Sequence, residues 1–599
     1  MSLVIERLEK LRKLMKENNI DAYVICTDDF HGSEYVGEYF KARRFMSGFT
    51  GSAGTLVVLA DEAGLWTDGR YFLQAADQLK GSTIELMKMG EENVPTISAF
   101  LADKLPANGV VGFDGRTVKA SFVNEIISKT KDKNISFAYE KDLVDSVWTD
   151  RPELSKQPVW ELSTEYAGLS RGEKLSMMKD AMRNKGADIL VLTALDDIAW
   201  VLNLRGDDVP YNPVFLSYML IRENEIFLYA SPEIFNIEIM NALNNDGVNI
   251  KAYNDIYNDL KAVSRDEVVL VDKASANYMI LASLPVKENV KIEESPAVLP
   301  KATKTLKEQE NERIAHVKDG VAVTKLMYWL KKNVGNMKIT EITAADKLEE
   351  FRREQENYLG QSFDPIMGYA EHGAIVHYSA TEESAKTLEP RSFLLADTGG
   401  HYLEGTTDIT RTIALGELTE EEKRIFTLVL IGNLNLGAVR FIYGIRGENL
   451  DYVAREALWR NGLDYNHGTG HGVGYILNVH ERPNGIRWRI PQNGVGTAIF
   501  EDGMITSNEP GMYIAGKFGI RHENLVLCKK DKTTEYGTFM RFDTLTMVPF
   551  DLDAVDTSLM TAEEIERLNA YHKDVYNAIS YAFSGEELEW LKNATREIK

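Results

Sequence analysis

Cysteine is nearly absent: Cys26 and Cys528 are the two in 599 residues. They could form at most one bridge, which excludes a disulfide scaffold and fits a reducing compartment. No stretch of 18 uncharged apolar residues occurs, so no membrane span is predicted. The opening residues reach Glu6 and Arg7 too soon for a secretory signal, and the cytoplasm is the expected location. Basic charge is also short, with 68 Lys and Arg against 91 Asp and Glu, a formal charge of −23. Such a surface disfavours nucleic acid and anionic membrane as partners, and it also serves solubility. The 44% apolar and 27% charged residues are those of a soluble globular protein, which excludes collagen and a disordered tail protein. At about 100–200 residues per domain, the length predicts three to five domains.

A repeat precedes any motif. Leu11–Asp29 and Lys174–Asp197 each read as a basic amphipathic helix, a turn with an Asp, a β-rich apolar run and a closing Asp pair. Asp21 and Asp188 hold matching places. A helix leading into a buried strand is an α/β unit, so two related α/β domains are expected near 1–155 and 156–303. Ser295–Thr305, with two prolines and two lysines, suits a linker. The remainder, 304–599, reads as an α+β domain with helices packed on a curved sheet. Thr419 with Glu422 and Thr561 with Glu564 are capping-box patterns that start helices reaching about Phe441 and Tyr576. Leu450, Val453, Ala454, Ala457 and Leu458 form one helical face, with Gly462 as its stop. Phe393–Ala396, Thr410–Leu415, Met504–Ser507 and Gly519–Leu527 read as strands.

Seven of the ten histidines lie between 372 and 522, a quarter of the chain. In the same interval Asp397, Asp408, Glu509 and Glu523 end, precede or sit inside apolar strands. A carboxylate buried unpaired there is costly, and Arg411 and Arg521 are the obvious basic neighbours. Two divalent cations would neutralise four carboxylates, which is the composition of a two-metal hydrolytic site. Each carboxylate alone also has an ordinary explanation as a turn residue, a solvated strand end or a surface ion pair. The run His467-Gly468-Thr469-Gly470-His471-Gly472-Val473-Gly474 holds four glycines, which forbid a stable helix. Its histidines are therefore not a helical zinc pair, and they read as residues positioned on a glycine-rich loop. His480 follows nine residues later, and His377 lies in the strand-like run Ala374–Tyr378. For these two, a packed core histidine is the alternative.

The order Asp397, Asp408, His471, Glu509, Glu523, with spacings of 11, 63, 38 and 14, resembles the dimetal site of the pita-bread metallopeptidases. The whole chain is similar to the three-domain cytosolic aminopeptidase P group of that family. The likeness includes Trp66–Phe72, Asn203–Gly206 and Asn212–Phe215. The resemblance implies two N-terminal α/β domains, the first creatinase-N-like, before a pita-bread catalytic domain. It implies hydrolysis of the N-terminal Xaa-Pro bond of peptides with proline in second place. Asp408 and Glu523 would bridge two divalent ions, with manganese the metal expected. Asp397 would complete one metal site; His471 and Glu509 would complete the other. A bridging water acidified by both metals would attack the scissile carbonyl. Glu509 would carry its proton, His480 and His377 would contact substrate, His467 would line the pocket, and Arg521 would orient the acidic ligands. The resemblance also implies a homodimer built mainly through the third domain. A prolidase-type dipeptidase, a metal-free creatinase-like hydrolase and an inactive binding protein are the alternatives. His522 departs from the family pattern, where an apolar residue is expected.

Overall fold

The computed structural model describes residues 3–490 and 497–599. The chain divides into two compact units: Met1–Ser163 with Leu169–Val298, and Thr164–Gly168 with Leu299–Lys599.

The first unit carries two six-stranded sheets of one topology. The strand order is Glu85–Lys88, Ala63–Thr67, Thr55–Leu59, Ala22–Cys26, Val110–Gly112, Ser136–Ala138 in one. It is Val248–Lys251, Ile226–Tyr229, Tyr218–Ile221, Ile189–Leu192, Val269–Asp272, Val290–Glu293 in the other. In both, the first strand in sequence lies inside, antiparallel to the second and parallel to the fifth. Both first strands are fully buried, which is why their runs are continuously apolar. The matched aspartates do one job. Asp21 Oδ2 accepts from Val110 N at 2.8 Å, and Asp188 Oδ2 accepts from Val268 N at 2.8 Å. Each fixes the register of the parallel neighbour strand.

In the second unit the two expected capping boxes form, and their helices run Glu420–Gly437 and Ala562–Ile579. The first stops four residues short of Phe441, because Arg440–Ile442 pairs as an edge strand. The expected linker is partly helical, over Val298–Ala302. Phe393–Thr398 lies between Ile366–Tyr369 and Ile409–Ala414. Leu394 and Ala396 pack into one core cluster and Phe393 into another, so both faces are covered. The larger sheet runs Arg440–Ile442, Gly537–Thr544, Asn524–Thr534, Ile505–Asn508, Gly470–Gly472, Glu481–Ile486.

Three sequence expectations are corrected. His471 lies in a strand, not a loop; a Cβ at Gly470 would stand 1.9 Å from Ser507 O, so the glycines admit the strand to the sheet. Gly519–Leu527 is two strands, Phe518–Arg521 and Asn524–Thr534, and Glu523 occupies the break. His377 stands in a loop after the short helical turn Ala370–Ala374. Among the described residues no helix is long and apolar enough to cross a membrane.

His572, fully buried, accepts from Phe550 N at 3.0 Å through Nε2. Burial, then the charge of Arg411, pushes its pKa down to about 3. The unfolded chain therefore binds the proton that the folded chain refuses. This stabilisation is complete above about pH 6.5 and is lost as pH falls toward 3. Melting temperatures measured from pH 7 to pH 4 are expected to fall less steeply in His572→Gln than in the wild type. Equal slopes would contradict the assignment.

Candidate metal centre

Five separate segments supply the carboxylates and the histidine. Asp397 is the next-to-last residue of the strand Phe393–Thr398 and pairs across the sheet with Thr410, so the two share a face. Asp408 immediately precedes the strand Ile409–Ala414. His471 comes from the glycine-lined strand, and Glu523 from the break between two strands. Donor atoms of Asp408, His471 and Glu523 all lie within 4.8 Å of one another. His471 Nδ1 donates to Gly472 O at 2.9 Å, which aims Nε2 at Asp408 Oδ2 (3.4 Å) and Glu509 Oε1 (3.5 Å). Glu509 is held by its N–H on Thr469 O and by Ser507 Oγ. Thr410 Oγ1 donates to Glu523 Oε2 at 2.7 Å.

The electrostatics follow from this crowding. Burial raises Glu523 well above the carboxylate range, and the charges of Asp408, Asp397 and Glu509 add to it. Burial also raises Asp397 and Glu509, although Arg521 pulls both down. Burial opposes protonation of His471, yet its hydrogen bond to Asp408 and the charge of Glu509 prevail, and its pKa is pushed up to about 9. Asp397 Oδ1 is buried without a hydrogen-bond partner. Clustered carboxyl oxygens, an imidazole Nε2 aimed among them and an unpartnered carboxylate oxygen together fit hard or borderline divalent cations.

The other sequence candidates arrange themselves around this cluster. Arg521 Nη2 donates to Asp397 Oδ2, and Nη1 donates to Tyr513 Oη at 2.6 Å. The Tyr513 hydroxyl meets His467 Nε2 at 2.8 Å, while His467 Nδ1 donates to Gly468 O. The His480 ring lies edge-on to His471 with centroids 4.3 Å apart. His377 is reached through its neighbour: Val376 O accepts from Arg521 Nη2 at 3.4 Å. Arg411 does not serve as a counter-charge. Its donors go to carbonyl oxygens of Thr410, Glu523, Val548 and Pro549, to Asn524 and to Tyr571. His522 is fully buried between Phe426 and Phe550 rings, in the apolar surroundings expected there.

Sequence reading missed Tyr513 and Thr410. Tyr513 lies four residues after Glu509, on the strand paired with Arg521's strand, and Thr410 lies two after Asp408. Their spacing to the carboxylates was the available signal.

The chain matches four family models in succession. Residues 7–146 and 150–308 match Creatinase/Prolidase N-terminal domains. Residues 310–530 match metallopeptidase family M24, and 538–598 match the C-terminal region of peptidase_M24. The chain is 40% identical over 611 residues to "Probable Xaa-Pro aminopeptidase P" of Botryotinia fuckeliana, spanning 99% of this chain and 92% of the relative. It is 38% identical to the protein of that name in Paracoccidioides brasiliensis, spanning 99% of each. Its structure matches the X-prolyl aminopeptidase of Caenorhabditis elegans, described as a cytosolic enzyme with a di-nuclear active site, with TM-score 0.95, 34% identity and full coverage of both chains. The carboxylate–histidine cluster thus sits in a chain that belongs to metallopeptidase family M24, in its Xaa-Pro aminopeptidase P group.

Proposed function

We propose that this chain is a cytoplasmic Xaa-Pro aminopeptidase that removes the residue preceding a penultimate proline. The observation that carries the reading is the convergence of Asp408, His471 and Glu523 donor atoms within 4.8 Å. Asp408 and Glu523 would hold both of two divalent cations, Asp397 one, and His471 with Glu509 the other. Bound there, the cations, with manganese the metal proposed, would acidify a water and polarise a carbonyl.

The remaining work falls to the chain. A Glu509 Oε atom takes a proton from the nucleophile and returns it to the departing prolyl nitrogen. That nitrogen belongs to a tertiary amide with no N–H, so it must be protonated to leave. His480 and His377 donate to the developing oxyanion or the leaving nitrogen. Arg521 holds Asp397, and through Tyr513 it holds the His467 ring, so His467 supports the wall of the pocket.

A substrate panel tests the reading. Peptides of three or more residues with proline second are expected to be cleaved at the first bond, faster than Xaa-Pro dipeptides. Preference for dipeptides would favour the prolidase alternative. No cleavage by metal-loaded protein would favour a binding role.

The reading includes a homodimer formed mainly through the second compact unit. Exposed Tyr452, Trp459, Trp488 and Ile490 support it, because rings of Tyr452, Trp459 and Trp488 adjoin in one apolar group. Sedimentation at micromolar concentration is expected to give twice the chain mass; an active monomer would contradict the proposal.

A further inference from the structure

Glu341 is the first residue of the helix Glu341–Arg353 and is completely buried. A buried carboxylate must have its lone pairs satisfied. All of the side-chain bonds come from one stretch of chain. Oε1 accepts from Tyr369 N at 2.8 Å and from His372 Nδ1 at 2.8 Å. Oε2 accepts from the Tyr378 hydroxyl at 2.9 Å and from Lys386 N at 2.9 Å. The Glu341 N–H also donates to Lys386 O at 3.1 Å. These partners span 369–386 and lie on both sides of His377. Tyr378, its immediate neighbour, packs its ring against the His372 ring, tilted by 32° with centroids 4.4 Å apart. The far side of the loop rests on the site: Val376 O receives Arg521 Nη2, and Gly373 touches Gly519 so closely that a Cβ there would stand 1.7 Å from Gly373 O. The loop is thus clamped between the Arg521 strand and one carboxylate, with His377 at its middle.

We infer that Glu341 is a positioning residue for the reaction, acting through His377 by fixing the loop 370–386. The inference rests on the reading of His377 given above. Glutamine at 341 keeps the size but replaces one acceptor oxygen with a donor. Whichever way the amide turns, two loop donors then face an N–H.

The test is a double-mutant cycle of Glu341→Gln and His377→Ala on a proline-second tripeptide, with metal content and amide exchange measured alongside. Glu341→Gln is expected to lower kcat by up to about 100-fold, the effect of a small misplacement, with KM changed less than about threefold. Amides of 370–386 should exchange faster, while bound metal stays at the wild-type level. In the His377→Ala background the second substitution should cost no further kcat, because the group it positions is gone. Tyr378→Phe, which removes one of the four donors to Glu341 together with the hydroxyl's contacts to Ser384 within the same loop, should show the same non-additivity at smaller size, and it serves if Glu341→Gln does not fold. Wild-type kcat in both loop variants, or losses that multiply with His377→Ala, would overturn the inference and leave the His377 reading intact. Wild-type kcat in His377→Ala itself would overturn both.

Discussion

Asp408→Ala is expected to abolish peptide hydrolysis and to lower the bound divalent ions below two per chain. Asp408 is 4% exposed, lies 3.4 Å from His471 Nε2 and shares the 4.8 Å cluster with Glu523. In the proposed arrangement Asp408 would touch both ions, so its loss would weaken both sites at once. The loss should exceed the roughly 10–100-fold typical of residues that only support a ligand. A second expectation has the opposite sign. Asp408 is one of the charges that raise Glu523 and Glu509. With chelator present, removing it relieves repulsion among buried carboxyls, so the melting temperature of Asp408→Ala should equal or exceed that of the chelated wild type. With metal restored the order should reverse, because only the wild type gains the full free energy of ion binding. Elemental analysis, turnover and melting temperature in the two conditions check this. Full activity in Asp408→Ala, or no more than trace metal in an active wild-type preparation, would sink the two-ion reading.

Much of this was legible in sequence because it depends on local chemistry or on repetition. The helix–strand repeat was readable from Asp21 and Asp188, and each aspartate makes the same bond to the neighbouring strand. The capping boxes at Thr419 and Thr561 need only residues three apart. The carboxylates were legible because charge at the end of an apolar strand demands a partner. What escaped the sequence was set by contacts between distant segments. Glycines around His471 suggested a loop, yet their use is the approach of Ser507 and Glu481 backbone, separated from them by intervening chain. Ala374–Tyr378 reads as a strand-like run, but Glu341, more than thirty residues earlier, holds that segment as a loop. Arg411 is the nearest basic residue to Asp408 in sequence, and carbonyl groups more than a hundred residues away take its donors. Arg521, two residues from Glu523, turns instead to Asp397.

His480→Ala and His377→Ala are expected to lower kcat by about 100–1000-fold each, the usual cost of one donor aimed at a developing oxyanion, with KM little changed. Neither residue belongs to the proposed ligand set, so metal content should remain at the wild-type level. Their placements support a role beside the reacting bond. The His480 ring stands edge-on to His471, and the next residue, Glu481, is tied by its carboxylate to buried Lys304, which fixes the backbone from which His480 projects. His377 follows Val376, whose carbonyl is gripped by the same guanidinium that holds Asp397. A packing role predicts something different: a folded protein weakened by roughly 1–3 kcal/mol, with unchanged turnover per folded molecule. Turnover, metal content and melting temperature measured on the same preparations separate the two. If one variant melts early but turns over at the wild-type rate, that histidine is a core residue, and the oxyanion or leaving nitrogen must be served by the other.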